Sequence, residues 1–406
     1  MLTGGNDEEQ RKQLTEEWPP SLLIQGGQVF DPEGGCFARL DVLVSGGKVA
    51  RIAPAIEAPA GAQALDATGL FVTPGLVDGH VHAFRWAHLI SLDVDPLSSR
   101  SGVTTFVDGG SSGSLQFMAF RKFVMERVRS HLYALLNVSG IGQMMDGLKG
   151  VDAWEGEDLR FLHLDSAAEI VDANRDVIVG IKVRINTGLP SLAPMAAARE
   201  LADIVRLPVV IHLSPAPPPF RDLLPYLRAG DVVTHMYHPG PGCLVDSEGK
   251  VEPEYVEARQ RGILFDTGTA RFHTSFPVAQ AAIQQGFLPD TISTDLTLTN
   301  YRHITIDMPT TLTKFMAFGL SLEQVLRLTT IAPARMLPAG RGHGRLAVDL
   351  PADIALFALE SGKFTYEGYF GDQLHATQRL VSRGTLREGR LLTPEAQEPM
   401  PFSFMR

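Results

Sequence analysis

The 406-residue chain has only two cysteines, Cys36 and Cys243. Two isolated thiols cannot make a disulfide framework and fit a reducing cytosol, so a cytoplasmic protein is expected. Basic residues are in deficit: 36 Lys and Arg against 46 Asp and Glu leave a formal net charge of −10. Nucleic acid and anionic membrane are therefore poor partners by general electrostatics. A transmembrane helix needs about 20 consecutive apolar residues, and no stretch of the chain comes near that. The opening MLTGGNDEEQRKQLTEEWPP lacks the apolar region of a secretory signal and reads as a flexible extension over 1–20.

What the chain does have is length and apolar content, with 44% hydrophobic residues. That suits a barrel of roughly 250 residues with a smaller second domain. Near the start, 21–30 (SLLIQGGQVF), 41–44 and 48–52 are short β runs parted by Gly-Gly turns. Near the end, 352–358 (ADIALFA), 380–382 and 385–392 have the same texture. The expectation is a small β-sandwich built from 21–69 and 345–396, with 397–406 as a tail. Between them, over 70–344, apolar runs alternate with helix-like stretches. The runs are 70–82, 103–109, 132–139, 178–185, 208–213, 231–237, 263–268 and 291–296. Helices are expected over 114–130, 193–205, 252–261, 277–285 and 322–330. Eight continuous apolar strands separated by helices argue for a parallel sheet closed into an α/β (β/α)8 TIM-type barrel.

In such a barrel the active site lies at the C-terminal ends of the strands. Run one ends in His80-Val81-His82, and run four carries Lys182 within GIKVR. Run five ends near His212, run six near His235 and run eight near Asp295. Residues i and i+2 of a strand share a face, so His80 and His82 can grip one ion, with Asp295 beside them. His212 and His235 can hold a second. Such a His-rich set suits Zn²⁺ best. An ammonium cannot ligate a cation. Lys182 belongs only if neutralised, or converted by CO2 to a carbamate whose two oxygens could bridge both ions. Each residue has an ordinary alternative: a core or capping histidine, a lysine paired with an acid, an aspartate capping a helix. Ligand types at five of eight strand ends decide for the metal site.

The segment VTPGLVDGHVH (72–82) resembles the first-strand signature of the amidohydrolase superfamily, and Lys182, His212, His235 and Asp295 follow in that family's order. Within it, VTTFVDGGSSGS (103–114), GIKVRIN (180–186) and ISTDL (292–296) resemble the dihydroorotase-like deacetylase group. The resemblance covers about residues 21–395. It implies a binuclear zinc centre bridged by carboxylated Lys182, with His80, His82, His212, His235 and Asp295 as the other ligands. It also implies hydrolysis of small acyl substrates. Dihydroorotases usually carry Arg two residues after the second His of HxH; here that place is Phe84, and Arg85 follows. Adenosine-type deaminases place Glu shortly after the fifth-strand His, and here Leu-Ser-Pro-Ala-Pro follows His212. The stretch DTGTARFHTSF (266–276) departs from the deacetylase group.

The expected chemistry is attack of a metal-bridging hydroxide on an acyl amide or ester, since two ions lower the pKa of a shared water toward roughly 7. Asp295 serves as base and then acid. Arg184, on the face of Lys182, and His238, Arg271, His273 and His303, in the loops after the last strands, are candidate substrate contacts. The turn 109–114 offers backbone N–H groups to an anion. The alternatives are a cyclic-amide hydrolase of the dihydroorotase or hydantoinase type, and a non-catalytic barrel scaffold. The partner expected is a small molecule, and pairing of exposed barrel helices predicts a homo-oligomer.

Overall fold

The computed structural model describes residues 21–146, 155–186, 189, 191–213, 217–338, 341–394 and 397. The extension read at 1–20, and all of the tail except Gln397, lie outside them. Gln397 is buried and its side-chain oxygen accepts from Asp93 N at 3.1 Å, so the chain is still docked on the barrel at that point.

The chain opens with β1 (Leu22–Asp31), β2 (Cys36–Ser45), β3 (Lys48–Ala53), β4 (Gln63–Asp66) and β5 (Phe71–Pro74). Strands β1, β2 and β3 form antiparallel hairpins, while β4 and β5 run parallel to β1. Alternation along each strand, shifted in β1 by an irregularity between Ile24 and Gly27, sends Ile24, Val29, Val42 and Val44 to one buried face. There they meet Val72, Ile354 and Leu356 from the other end of the chain.

The barrel follows as β6 (Leu76–Val81), β7 (Val103–Asp108), β8 (His131–Asn137), β9 (Ile178–Ile185), β10 (Val209–Leu213), β11 (Val232–Thr234) and β12 (Leu264–Phe265). All seven pair in parallel, each with its neighbour in sequence. Strands β7, β9 and β10 are buried along their whole length, as strands covered on both faces must be. Val77, Val107, Leu135, Val179, Val210 and Val232 pack into one cluster, the apolar filling of the barrel.

The eighth run closes the ring without forming a regular strand. Leu296 bridges Val81 on one side, and Thr291 bridges Asp266 on the other. Asp295 N donates to His80 O at 2.7 Å and His82 N to Leu296 O at 3.1 Å. The irregularity has a local cause: Asp295 has φ 48, a left-handed backbone that breaks a ladder.

The run 70–82 proves to be two strands in two sheets. The switch is Gly75, whose N–H donates to Asp353 O at 2.7 Å. A Cβ there would lie 2.1 Å from Thr104 Oγ1, so no larger residue fits.

The chain returns through β13 (Ile354–Glu367), β14 (Gln373–Arg387) and β15 (Arg390–Leu391). Both ends thus meet, as expected, in a β domain separate from the barrel sheet, its strands in the order β15-β14-β13-β5-β1-β2-β3 with β4 on β1. The β13–β14 hairpin is far longer than its sequence advertised. It reaches along the barrel, where Leu380 N donates to Thr313 Oγ1 at 2.9 Å and Phe276 N to Asp372 Oδ2 at 2.8 Å.

The helix expected over 193–205 is there as Ala193–Val205. That expected over 114–130 shrinks to Phe117–Phe120 and a π turn at Arg121–Met125, because no residue of that turn is buried and nothing rewards propagation. Helices Val94–Ser101, Leu164–Ala173 and Met308–Ala317 were not anticipated. Among the described residues no helix is long and apolar enough to cross a membrane.

Candidate metal centre

All six expected ligands meet at the C-terminal rim. His80 lies on β6 with His82 just past its end, Lys182 lies on β9, and His212 lies on β10. His235 follows β11, and Asp295 ends the closing segment. All six are at most 6% exposed. Two of them, His235 at φ 66 and Asp295 at φ 48, hold left-handed backbones. Such conformations cost energy and persist mainly where a site over-determines them.

Hydrogen bonds assign the tautomers, and the assignment is informative. Ser111 Oγ donates to Asp108 Oδ2 at 2.8 Å, so it accepts from His82 Nδ1 at 2.7 Å. Thr234 Oγ1 donates to Asp266 Oδ2 at 2.7 Å, so it accepts from His80 Nδ1 at 3.2 Å. His235 Nδ1 donates to Gly268 O at 2.8 Å. In all three rings the N–H points outward and the Nε2 lone pair points inward.

The inward lone pairs of His82 and His80 lie beside the carboxylate of Asp295. His82 Nε2 is 3.2 Å from Asp295 Oδ1, which receives no hydrogen bond of acceptable geometry. His80 Nε2 is 3.6 Å from the same oxygen and accepts from Lys182 Nζ, and His235 Nε2 accepts from His212 Nδ1 at 2.9 Å. The lone pairs of His82 Nε2 and Asp295 Oδ1 repel unless a cation lies between them. The donor set therefore fits divalent metal on chemical grounds.

Lys182 is wholly buried, with Nζ 3.0 Å from His80 Nε2 and no carboxylate within ion-pairing distance among the described residues. Burial drives its ammonium down to about 8. Room for its side chain comes from Gly110 (φ +90), where a Cβ would lie 2.6 Å from Lys182 Cβ and Cγ. Burial also lowers His80 and His212 well below the usual range, and His235 to about 3. These imidazoles stay neutral, as ligands must. For Asp295, burial pushes the carboxyl up, but His82, His235 and Lys182 outweigh it and hold it below the ordinary value.

Supporting residues complete the rim. Asp78 ties the closing segment to β6 by accepting from Thr294 Oγ1 at 2.6 Å and Thr294 N at 3.1 Å. Burial raises its carboxyl to about 7. Asn300 Nδ2 donates to Asp295 O at 2.8 Å. In the turn 109–114 the N–H groups of Gly110 and Ser111 are not free for an anion, because they donate to Asp108 Oδ1 at 3.1 and 2.7 Å.

The substrate-contact candidates divide. Arg184 lines the cavity above the ligands, but its Nε bonds Glu155 at 3.2 Å and its Nη2 bonds Asp146 at 3.1 Å. Arg271 lines the same cavity with no ion pair among the described residues. His273 also lines it and stacks on His235, with ring centroids 3.9 Å apart. His238 is wholly buried and His303 is exposed, and neither lines the cavity. The relays through Ser111 and Thr234, and the approach of His273 to the ligands, escaped sequence reasoning. The aspartates at strand ends were its only visible signal.

The cavity above the ligands holds about 150 Å³. A larger one, about 780 Å³, opens at the opposite end, among the strand starts Ile178, Pro208 and Leu264. It contains none of the candidate ligands.

No family model matches the chain. A deacetylase of Agrobacterium fabrum is 33% identical over 344 residues, covering 84% of this chain and 83% of its own. A deacetylase of Enterococcus faecalis is 25% identical over 350 residues, covering 85% and 91%. The crystal structure of a dihydroorotase, 29% identical, superposes with a TM-score of 0.82 over 91% of this chain and 98% of its own.

Proposed function

Because this chain belongs to the amidohydrolase superfamily, whose hydrolases act on carbon–nitrogen bonds, we propose that it is a metal-dependent deacetylase of small N-acyl or O-acetyl substrates. The observation that carries this reading is the wiring of the rim, with imidazole N–H groups outward and lone pairs inward around Asp295 and Lys182. Two divalent ions, zinc before others for so His-rich a set, would be held by His80, His82 and Asp295 on one side and by His212 and His235 on the other. Lys182, carboxylated by CO2, would lie between them; the fall of its ammonium to about 8 supplies the neutral amine that attacks CO2 and loses a proton to give the carbamate. When bound, the ions would lower the pKa of a shared water and polarise the acyl carbonyl.

The chain does the rest. Asp295, buried on the rim, takes the proton of the attacking water and returns it to the leaving nitrogen or oxygen. A cavity of about 150 Å³ admits only a small substrate. Arg271 on its wall makes no ion pair among the described residues and could meet an anionic group, whereas the guanidinium of Arg184 is engaged with two acids.

The likeness to a dihydroorotase supports a second reading, hydrolysis of a cyclic amide. Against it, Arg85 faces Asp93 at 3.4 Å and Ser91 O at 3.5 Å and does not line the cavity. Elemental analysis after mild purification is expected to find about two equivalents of metal per chain, the number the ligand set can use. Assays on N-acetyl amino acids, O-acetyl hydroxy acids and dihydroorotate are expected to show turnover of an acyl substrate. Full activity with a single equivalent would overturn the binuclear arrangement. Turnover of dihydroorotate alone would replace the deacetylase reading with the cyclic one.

A further inference from the structure

His273 belongs to none of the ligand sets above, yet it is built into the cluster. It ends the short turn Arg271–His273 that follows the seventh barrel strand, and it is 5% exposed. Its ring lies nearly flat on His235, with planes 20° apart, and edge-on to His212, with centroids 4.8 Å apart. Among the described residues neither of its nitrogens makes a hydrogen bond within the chain. Nδ1 is buried without a partner, and Nε2 is 4.0 Å from Asp295 Oδ2, beyond bonding distance. Burying an imidazole with nothing for its nitrogens is unfavourable unless something outside the chain satisfies them. His212 Nε2 is buried without a partner as well. One ligating nitrogen from each of His212, His235 and His273 can be chosen so that all lie within 4.8 Å of one another. Nitrogens on one tetrahedral zinc are separated by roughly 3.3 Å, from bonds of 2.0–2.1 Å. Small side-chain rotations would close the difference.

We propose that His212, His235 and His273 form a three-histidine site that can hold one divalent ion by themselves, independently of the carbamate of Lys182. Three neutral imidazoles suffice for zinc with one position left open. The proposal rests on the metal-centre reading above and adds a ligand and an order of loading: the ion at this site binds first and stays when Lys182 is unmodified. If His273 instead served only to bind substrate, its loss would leave metal content unchanged.

The test measures zinc content and resistance to a competing chelator in bicarbonate-free buffer. It compares wild type, Lys182→Ala, His273→Phe and the double variant. Phenylalanine keeps the ring stack on His235, and thermal melting of the zinc-free proteins checks folding. Lys182→Ala is expected to keep about one equivalent of zinc, the complement of a single three-histidine site. The double variant is expected to keep little, and His273→Phe alone to lose at least about tenfold in affinity at one site, at the lower end of what outer-shell losses alone cause. Equal zinc in Lys182→Ala and the double variant would overturn the proposal while leaving the metal centre standing. So would zinc-free Lys182→Ala beside a zinc-loaded wild type. A wild type that binds no zinc would overturn both. Should the double variant fold poorly, X-ray absorption of zinc-loaded Lys182→Ala counts the imidazoles directly: three support the proposal and two defeat it.

Discussion

The two ends of the barrel carry clusters of the same composition with opposite wiring. At the rim, His82 and Asp295 stand 3.2 Å apart with no proper hydrogen bond between them. At the other end, His131 Nε2 bonds Asp353 Oδ2 at 2.9 Å, and Arg387 bonds Asp353 Oδ1 at 3.1 Å and His131 Nδ1 at 3.3 Å. His343 there places Nε2 on Tyr133 OH at 2.8 Å and Nδ1 on Thr105 Oγ1 at 3.2 Å. His131, His343 and Asp353 are close enough together to seat an ion. Yet their lone pairs are engaged, and a guanidinium already supplies the positive charge. Residue types in proximity do not mark a candidate metal site; a lone pair left facing a carboxylate with no proton between them, as at His82 and Asp295, does.

The largest expected effect separates the two aspartates. Asp295→Asn should keep much of its metal but lose at least about 100-fold in kcat, the low end of general acid–base contributions. The acidic limb of its kcat/KM profile should vanish or shift. Asp353→Asn should leave turnover alone. Comparable losses in both variants would erase the distinction between the ends.

Next come the relays behind the rim. Thr234→Val removes the acceptor for His80 Nδ1 and frees the ring to flip. Metal affinity should fall about 10–100-fold, as outer-shell losses do elsewhere, and Thr234→Ser should restore it. Ser111→Ala should do the same through His82. Chelator competition measures both, and undiminished affinity in Thr234→Val would show that the ring is held some other way.

The smallest effects belong to the lower cluster. Asp353→Asn leaves Arg387 and His131 short of an acceptor and should cost about 1–3 kcal/mol in denaturant unfolding. The pH dependence has a definite sign. Burial pushes the Asp353 carboxyl up, but His131 and Arg387 outweigh it and hold the carboxyl below 3.8. Its contribution to stability is therefore present above pH 3.8 and is lost as pH falls through the lower folded value. Stability of the Asp353→Asn variant should fall less steeply below pH 4 than that of wild type.

What could be read in the sequence was whatever depends on one element at a time. His80 and His82 share a strand face by simple alternation, and apolar runs mark buried strands wherever those strands lie. Helix Ala193–Val205 has a buried stripe from Met195 to Val205, so its period is plain. The relays depend on which strands become neighbours: Thr234 and His80 are 154 residues apart. His273 looked like a loop residue because β12 has only two regular residues, and nothing local shows that the chain turns back onto His235. The outer half of the β13–β14 hairpin is half-exposed or exposed along most of its length, which removes the alternation that advertises a strand.

The irregular closing segment has a mechanical consequence. Its ladder to β6 is sparse, so the barrel has a seam, and three ligands straddle it: His80 and His82 on one lip, Asp295 on the other. An ion gripped by all three would rivet the lips together, and binding energy spent there stabilises the closed ring by mass action. Stripping the metal should therefore speed amide exchange at residues 291–296 and at His82 more than in β8 or β9, which lie across the barrel and pair with each other over several residues. The ion would be a structural fastener as well as a reagent, and its loss would be felt in the shape of the barrel wall before substrate ever arrived.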